Sequence, residues 1–280
     1  MRQVVVLLVS LVSLLGTAVA TGSGQSLPYT EVFYSSGSLR IQAYLYVPQG
    51  QGPFPVVIYN HGSREGQERT PIAWRYIGAL LTESGYAAFV PERRGYGKSD
   101  GVPFSADVSN DVGARFVARM QAETDDVLAA VPSLGTIPQI DTKRIGIMGW
   151  SLGGIVTMFA VSRTDTFRAA VDQAGGSLTW DRSSALRIAL EQAARQVKAP
   201  VLFMDAINDR TTASIMTLAK ILQETGSPHQ VRIYQPYDPP PAQATRAQRQ
   251  GIALGHLIFL AEGMPLWQSD VVGFLDQYVK

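Results

Sequence analysis

The sequence predicts an α/β fold: a mostly parallel central sheet, an antiparallel N-terminal hairpin and helices on both faces. Three observations lead there. Beyond Pro28, short apolar runs alternate with longer stretches of helical spacing. A parallel sheet covered on both faces by crossover helices gives that alternation. Two β-like runs flank Ser36-Gly37-Ser38, a hairpin signal. Finally, 280 residues with 46% hydrophobic content can bury a sizeable core.

Taken in order, residues 31–36 and 39–47 read as the hairpin strands, and 54–59 as a buried strand. Residues 72–84 have helical spacing, with Ile72, Tyr76, Ala79 and Leu80 on one face, and stop at Gly85. Residues 86–90 form the next strand, closed by Pro91. A helix over 124–131 ends before Pro132. Strand 144–148, helix 152–162 and strands 168–171 and 201–204 follow. Helix 212–222 stops near Gly226-Ser227-Pro228, strand 231–234 comes next, and helix 269–279 closes the chain. Residues 102–123 and 175–197 break the rhythm and are expected as small cap elements or pocket flanks. Residues 238–251 read as a polar insertion loop. No repeat or linker divides the chain, so 27–280 is expected to be one domain.

Charge excludes several classes. Twenty-four basic against 23 acidic residues give a formal charge of +1, with no electrostatic footprint for nucleic acid and no basic block for a membrane surface. The sequence contains no cysteine, which removes disulfides, thiolate metal sites, a cysteine nucleophile and a lipoprotein anchor. Neither HExxH nor clustered histidine is present, so no metal or organic cofactor is expected. Residues 1–20 have a short positive start, an apolar run and Ala18-Val19-Ala20, the pattern of a secretory signal peptide. The mature protein is expected to be secreted or periplasmic, without stable membrane insertion. An uncleaved anchor is the other reading.

The informative motif is Gly149-Trp150-Ser151-Leu152-Gly153, followed by Gly154. It lies between a strand and a helix, the setting of a nucleophile elbow. Its serine occupies a sharp turn, and its glycines let strand and helix approach closely. Asn60-His61-Gly62-Ser63 follows an earlier strand, and Arg94-Gly95-Tyr96-Gly97-Lys98-Ser99-Asp100-Gly101 the next. Asn208-Asp209 and Gly255-His256 come later in the chain. With these motifs in this order, the chain resembles the α/β-hydrolases, and among them the dienelactone-hydrolase-like serine esterases. The resemblance implies the α/β-hydrolase fold and a serine nucleophile at Ser151. It also implies an acid and then a histidine further along the chain.

A serine hydroxyl needs a general base, and the base needs an orienting acid. Only His229 and His256 follow Ser151. His229 begins a strand, at the edge opposite the site, whereas His256 lies before the last helix at the catalytic edge. His256 is therefore the expected base. Asp209, in a loop past a strand end, is the expected acid. Asp205 and Asp172 are expected to bond loop backbone. Leu152 N–H and, by resemblance to the family's HG-x turn, Ser63 N–H are the expected oxyanion-hole donors. His61 precedes the nucleophile and is expected to brace this turn. Trp150, Tyr96 and Trp180 are possible pocket residues; Arg93 and Arg94 could meet a substrate carboxylate or simply hold loops.

The expected activity is hydrolysis of carboxylic esters through an acyl-enzyme, on a small-molecule ester or a short peptide-like substrate. Two other readings stay open. One is a prolyl-oligopeptidase-like serine peptidase, although a chain of this length leaves no room for a gating propeller. The other is a non-catalytic binding protein on a hydrolase fold, which would have no use for all three triad residues.

Overall fold

A computed structural model describes residues 28–64 and 66–280. The expected signal segment, 1–20, lies outside the described residues. Eight strands form one sheet: β1 (Thr30–Ser36), β2 (Leu39–Tyr46), β3 (Phe54–Asn60), β4 (Ala87–Glu92), β5 (Ile140–Trp150), β6 (Phe167–Gln173), β7 (Val201–Ala206) and β8 (His229–Tyr234). Their order is β1-β2-β4-β3-β5-β6-β7-β8. The β1–β2 and β2–β4 pairs are antiparallel, and every later pair is parallel. The chain leaves β3 toward β4 on one side and returns to β5 on the other. That reversal is a topological switch point, where sheets of this kind open a crevice at their carboxyl ends.

Period-two alternation divides the core. Val56 and Ile58 of β3 face one layer, and Val57 and Tyr59 the other. The first layer holds α3 (Ala114–Leu134), α4 (Leu152–Arg163), α5 (Ser184–Ala194) and α6 (Ala213–Thr225). The second holds α1 (Arg75–Glu83), α7 (Pro241–Gln250) and α8 (Met264–Tyr278), the last burying Trp267 completely. A short α2 (Phe104–Val108) precedes α3.

Four sequence expectations need correction. The first concerns residues 102–123, where α3 begins at Ala114, so much of this stretch is the first half of a long helix. Phe116, Met120, Val127, Ala130 and Leu134 make its buried stripe, and the helix runs through Pro132 to end at Leu134. Residues 175–197 also join the main layer rather than capping it, because Leu186, Leu190, Ala193 and Ala194 of α5 are buried in the core. The supposed insertion loop at 238–251 contains α7, with Pro241 in its first turn and Gly251 at φ 65° closing it. Proline inside the start and glycine past the end is a helix signature that its polar composition obscured. Finally, β4 runs through Pro91, which pairs with Ala43 of β2. Pairing with β3 has ended at Phe89, so a residue lacking N–H is accepted there.

Buried charges tie the first layer to the carboxyl ends of the strands. Arg93 Nε donates to Glu123 Oε2 at 2.7 Å, and Arg119 Nε donates to Glu123 Oε1 at 2.8 Å. Arg119 Nη1 also donates to Asp107 Oδ2 at 2.9 Å. Arg94 forks onto Asp126, at 2.9 and 2.8 Å. Both arginines that could have met a substrate carboxylate are therefore engaged internally. Removing Glu123 leaves the buried Arg93 guanidinium without its carboxylate and Arg119 with Asp107 alone. Glu123→Ala should lower the unfolding free energy by about 3–5 kcal/mol in urea titration; a loss below about 1 kcal/mol would show that the pair carries little.

Candidate active site

The chain turns sharply between β5 and α4. Ser151 sits in that turn at φ 59° and ψ −118°, a backbone region that L residues avoid. Its surroundings force the conformation. A Cβ on Gly149 would lie 2.2 Å from the Gly153 carbonyl oxygen, and one on Gly153 would lie 1.9 Å from that of Asn60. One on Gly154 would lie 2.3 Å from Asp172 Oδ1. Glycine at these three positions lets α4 press against the ends of β3, β5 and β6. The serine hydroxyl is thereby raised at the switch point.

The hydroxyl meets a relay. His256 Nε2 lies 2.9 Å from Ser151 Oγ, and His256 Nδ1 donates to Asp209 Oδ2 at 2.7 Å. Asp209 Oδ1 accepts from the Arg210 N–H. Burial pushes the Asp209 carboxyl up, but the His256 imidazole, the Arg210 N–H and the neighbouring Asp205 outweigh it and hold it below its usual range. His256 lies in a 3-10 turn, Leu254–Phe259, just before α8. Two contacts set that turn against Ser151 and the acid loop. Trp150 Nε1 donates to the His256 carbonyl at 3.0 Å. Gly255 lies so close to the acid loop that a Cβ would meet Asp209 N at 2.5 Å. The Asn208 side chain ties the same loop to Tyr237, accepting from its N–H and donating to its carbonyl, at 2.9 and 3.0 Å.

The structure thus brings together Ser151, His256 and Asp209. His229 stands elsewhere, at the start of β8 opposite Val201, with Nδ1 donating to the Ser227 carbonyl at 3.0 Å. Asp205 Oδ1 accepts from Ala206 N–H at 2.8 Å, and Asp172 Oδ1 from Gly175 N–H at 2.8 Å. Burial, aided by the Asp209 carboxylate, pushes Asp205 up to about 10. Burial alone pushes Asp172 up to about 7.

The loop after β3 runs beside the serine. A Cβ on Gly62 would come 3.2 Å from that of Ser151. The turn is clamped on both sides of Gly62-Ser63: Arg93 Nη2 donates to the His61 carbonyl at 2.8 Å, and Arg64 Nη1 to Glu92 Oε1 at 3.1 Å. The Ser63 side chain is exposed. Leu152 opens α4, where first-turn N–H groups have no intrahelical carbonyl to bond. His61 braces the turn, with Nδ1 donating to the Gly62 carbonyl at 2.8 Å and its ring stacked on Trp74. Burial, then Arg93 and Arg64, push it well below the usual histidine range, so it stays neutral.

All three aromatics considered for the pocket are buried. Tyr96 is fully enclosed, edge-on to His61 at 4.6 Å. Trp180 packs into the α5 side of the core. Trp150 lies 5.3 Å from the His256 ring and supports the histidine turn. Sequence reasoning missed Ser177, whose hydroxyl touches both Asp209 and His256. Its one sequence signal is Gly175-Gly176 just past a parallel strand. Among the described residues, no group of three or more His, Asp or Glu is placed to hold a metal ion.

A serine at a strained strand–helix turn, hydrogen-bonded to a histidine and an aspartate on this sheet, defines an α/β-hydrolase. The dienelactone hydrolase family matches residues 41–238, and the chain belongs to that family. It is 28% identical over 152 residues to the uncharacterized peptidase YuxL of Bacillus subtilis, covering 53% of this chain and 22% of that protein. It is 25% identical over 145 residues to the quorum-quenching protein AidA of Acinetobacter baumannii, covering 51% and 42%. These matches span less than half the length of either relative. Among solved structures, the acylaminoacyl peptidase of Pyrococcus horikoshii superposes with TM-score 0.66 at 20% identity, covering 90% of this chain and 42% of that one. The esterase Pf2001 of Pyrococcus furiosus superposes with TM-score 0.62 at 15% identity, covering 90% and 91%. At such identities the likeness shows the fold.

Asp172 gives the site edge a pH signature. Its carboxyl moves from an ordinary 3.8 to about 7 on folding, so the unfolded chain ionises first. The stabilisation is full below about pH 4, falls from there to about pH 7, and is lost above. Asn keeps the acceptor for Gly175 N–H but does not ionise. Asp172→Asn should therefore match the wild type in urea unfolding at pH 4 and exceed it at pH 8, by up to roughly 4 kcal/mol. Parallel stability–pH curves would contradict the assignment.

Proposed function

We propose that this member of a hydrolase family is a serine hydrolase cleaving carboxylic esters through an acyl-enzyme, exported from the cell that makes it. The single observation that supports the chemistry is the unbroken chain from Ser151 Oγ through His256 to Asp209, at 2.9 and 2.7 Å. Ser151 Oγ attacks the ester carbonyl while His256 Nε2 takes its proton. Asp209 holds the Nδ1 proton and stabilises the imidazolium that forms. The N–H groups of Leu152 and Ser63 receive the oxyanion. Collapse of the tetrahedral intermediate expels the alcohol, which takes the proton from His256. Water, deprotonated by the same imidazole, then attacks the acyl-enzyme, and the acid leaves with Ser151 restored.

Amide cleavage uses the same steps with an amine leaving group. Relatives named as peptidases, YuxL and dipeptidyl-peptidase 5 of Porphyromonas gingivalis, support that second reading. p-Nitrophenyl esters of graded chain length, run beside aminoacyl-prolyl amides, separate the two.

Ser151→Ala should fold normally and lose on the order of 10⁴ or more in ester turnover, together with all labelling by a fluorophosphonate. His256→Ala should lose nearly as much and the double variant little more, because the residues act as a unit. Wild-type-like turnover by Ser151→Ala would remove the reading.

Export rests on residues 1–20 and Ala18-Val19-Ala20. N-terminal sequencing of exported protein should begin at Thr21. Membrane-bound material that keeps Met1 would favour an anchor instead.

A further inference from the structure

Past the end of β6 the backbone takes a costly path. Ala174 has φ 55° and Gly176 φ 80°; a left-handed alanine is strained and needs its surroundings to hold it. Three bonds do so. Ala174 N–H donates to the Met204 carbonyl at 2.8 Å, Gly175 N–H to Asp172 Oδ1 at 2.8 Å, and Thr179 N–H to the Gly176 carbonyl at 2.9 Å. This turn delivers one polar side chain to the site, that of Ser177. It is completely buried. Its Oγ donates to Asp209 Oδ2 at 2.9 Å and lies 3.1 Å from His256 Nδ1.

We infer that Ser177 is a positioning residue of the catalytic relay, fixing the Asp209 carboxylate and tempering its hold on the His256 imidazolium. The inference rests on the hydrolase reading above. The same oxygen, Asp209 Oδ2, accepts from both His256 Nδ1 and Ser177 Oγ. A carboxylate held by two donors at one oxygen cannot rotate away from the ring. The hydroxyl also draws charge from that oxygen, so the imidazolium is held less tightly and returns its proton more readily. The longer contact to Nδ1 is secondary, because the ring proton already points to the carboxylate.

The test must separate positioning from packing. The groups around the turn that could titrate are Asp209 and His256 from their loops, Asp205 from β7 and Asp172 from β6. Asp205 stays protonated, and Asp172 titrates at about 7, so Asp172→Asn serves as a background control. The readout is the second-order rate of phosphonylation by a fluorophosphonate across pH 5 to 9, which needs no knowledge of the natural substrate. Ser177→Ala, with final labelling stoichiometry equal to wild type, should label roughly ten- to a hundredfold more slowly. Its acid limb should move up by roughly half a pH unit, in both Asp172 backgrounds. Ser177→Thr, which keeps the hydroxyl, should recover most of the rate. If the alanine variant does not accumulate, Ser177→Cys, of similar volume and with a weak donor, is measured against the same expectations. An unchanged rate and limb in the folded variant would overturn the inference. A wild type that is not labelled at Ser151 would instead overturn the hydrolase reading.

Discussion

The site depends on how closely the first turn of α4 meets the ends of β3 and β5. Only hydrogen fits on the Cα atoms of Gly149 and Gly153, where a methyl would stand 2.2 and 1.9 Å from carbonyl oxygens. Contacts that short cannot be relieved by a side-chain rotation, because the obstructing atoms are backbone. The approach forces Ser151 to φ 59° and aims its hydroxyl out of the sheet edge. It also brings Gly62 against Trp150 and Ser151, so the loop after β3 runs alongside the serine. Trp150, fixed by the same turn, then bonds the His256 carbonyl. One steric constraint thus places the serine, the loop expected to supply an oxyanion donor and the turn that carries the histidine.

Charge supports this geometry from below. The neighbours of the Gly62-Ser63 segment, His61 and Arg64, are tied to consecutive residues, Arg93 and Glu92, at the end of β4. Arg93 is itself held by Glu123 and, through that carboxylate, by Arg119 of α3. Buried pairs of this kind contribute little net stability compared with apolar replacements. Their directionality is a different matter: a guanidinium fork fixes a carbonyl in a way that aliphatic packing cannot. The loop is therefore held by hydrogen-bond geometry at little net gain in stability.

Much of this was legible in the sequence where backbone chemistry leaves a residue signature. The G-x-S-x-G run, Asn208-Asp209 and Gly255-His256 could be read because each glycine answers a close approach, Ser151 and Asp209 sit past strand ends, and His256 precedes the last helix. The strand–helix rhythm carried the sheet for the same reason, since alternation and apolar runs are local properties. Three features were hidden. The first half of α3 was masked by charged residues, Arg115, Arg119 and Glu123, two of which turned out to be buried in ion pairs. The polar composition of α7 resembled a loop, although its proline and glycine marked both ends. Ser177 had almost no signal, because its role arises from three loops meeting in space and not from its neighbours in the chain.

The carboxyl edge of the sheet gathers three buried carboxyls, Asp172, Asp205 and Asp209, but only one histidine bonded to Ser151, His256. Composition could not say which of them serves the base; environment does. Asp209 is ionised because it faces the imidazole and the Arg210 N–H, whereas Asp205, beside that charge, is driven the other way and keeps its proton. Asp172 lacks a cation partner and accepts only the Gly175 N–H, which leaves it between the two. A neutral Asp205 also keeps a second negative charge away from the relay, where it would hold the imidazolium too tightly to return its proton. Ser177 acts in the same direction through its bond to Asp209 Oδ2. On the proposed hydrolase reading, the surroundings of Asp209 set it to orient the histidine while limiting how strongly the ring retains the proton, as a base that must give the proton back to the leaving group requires.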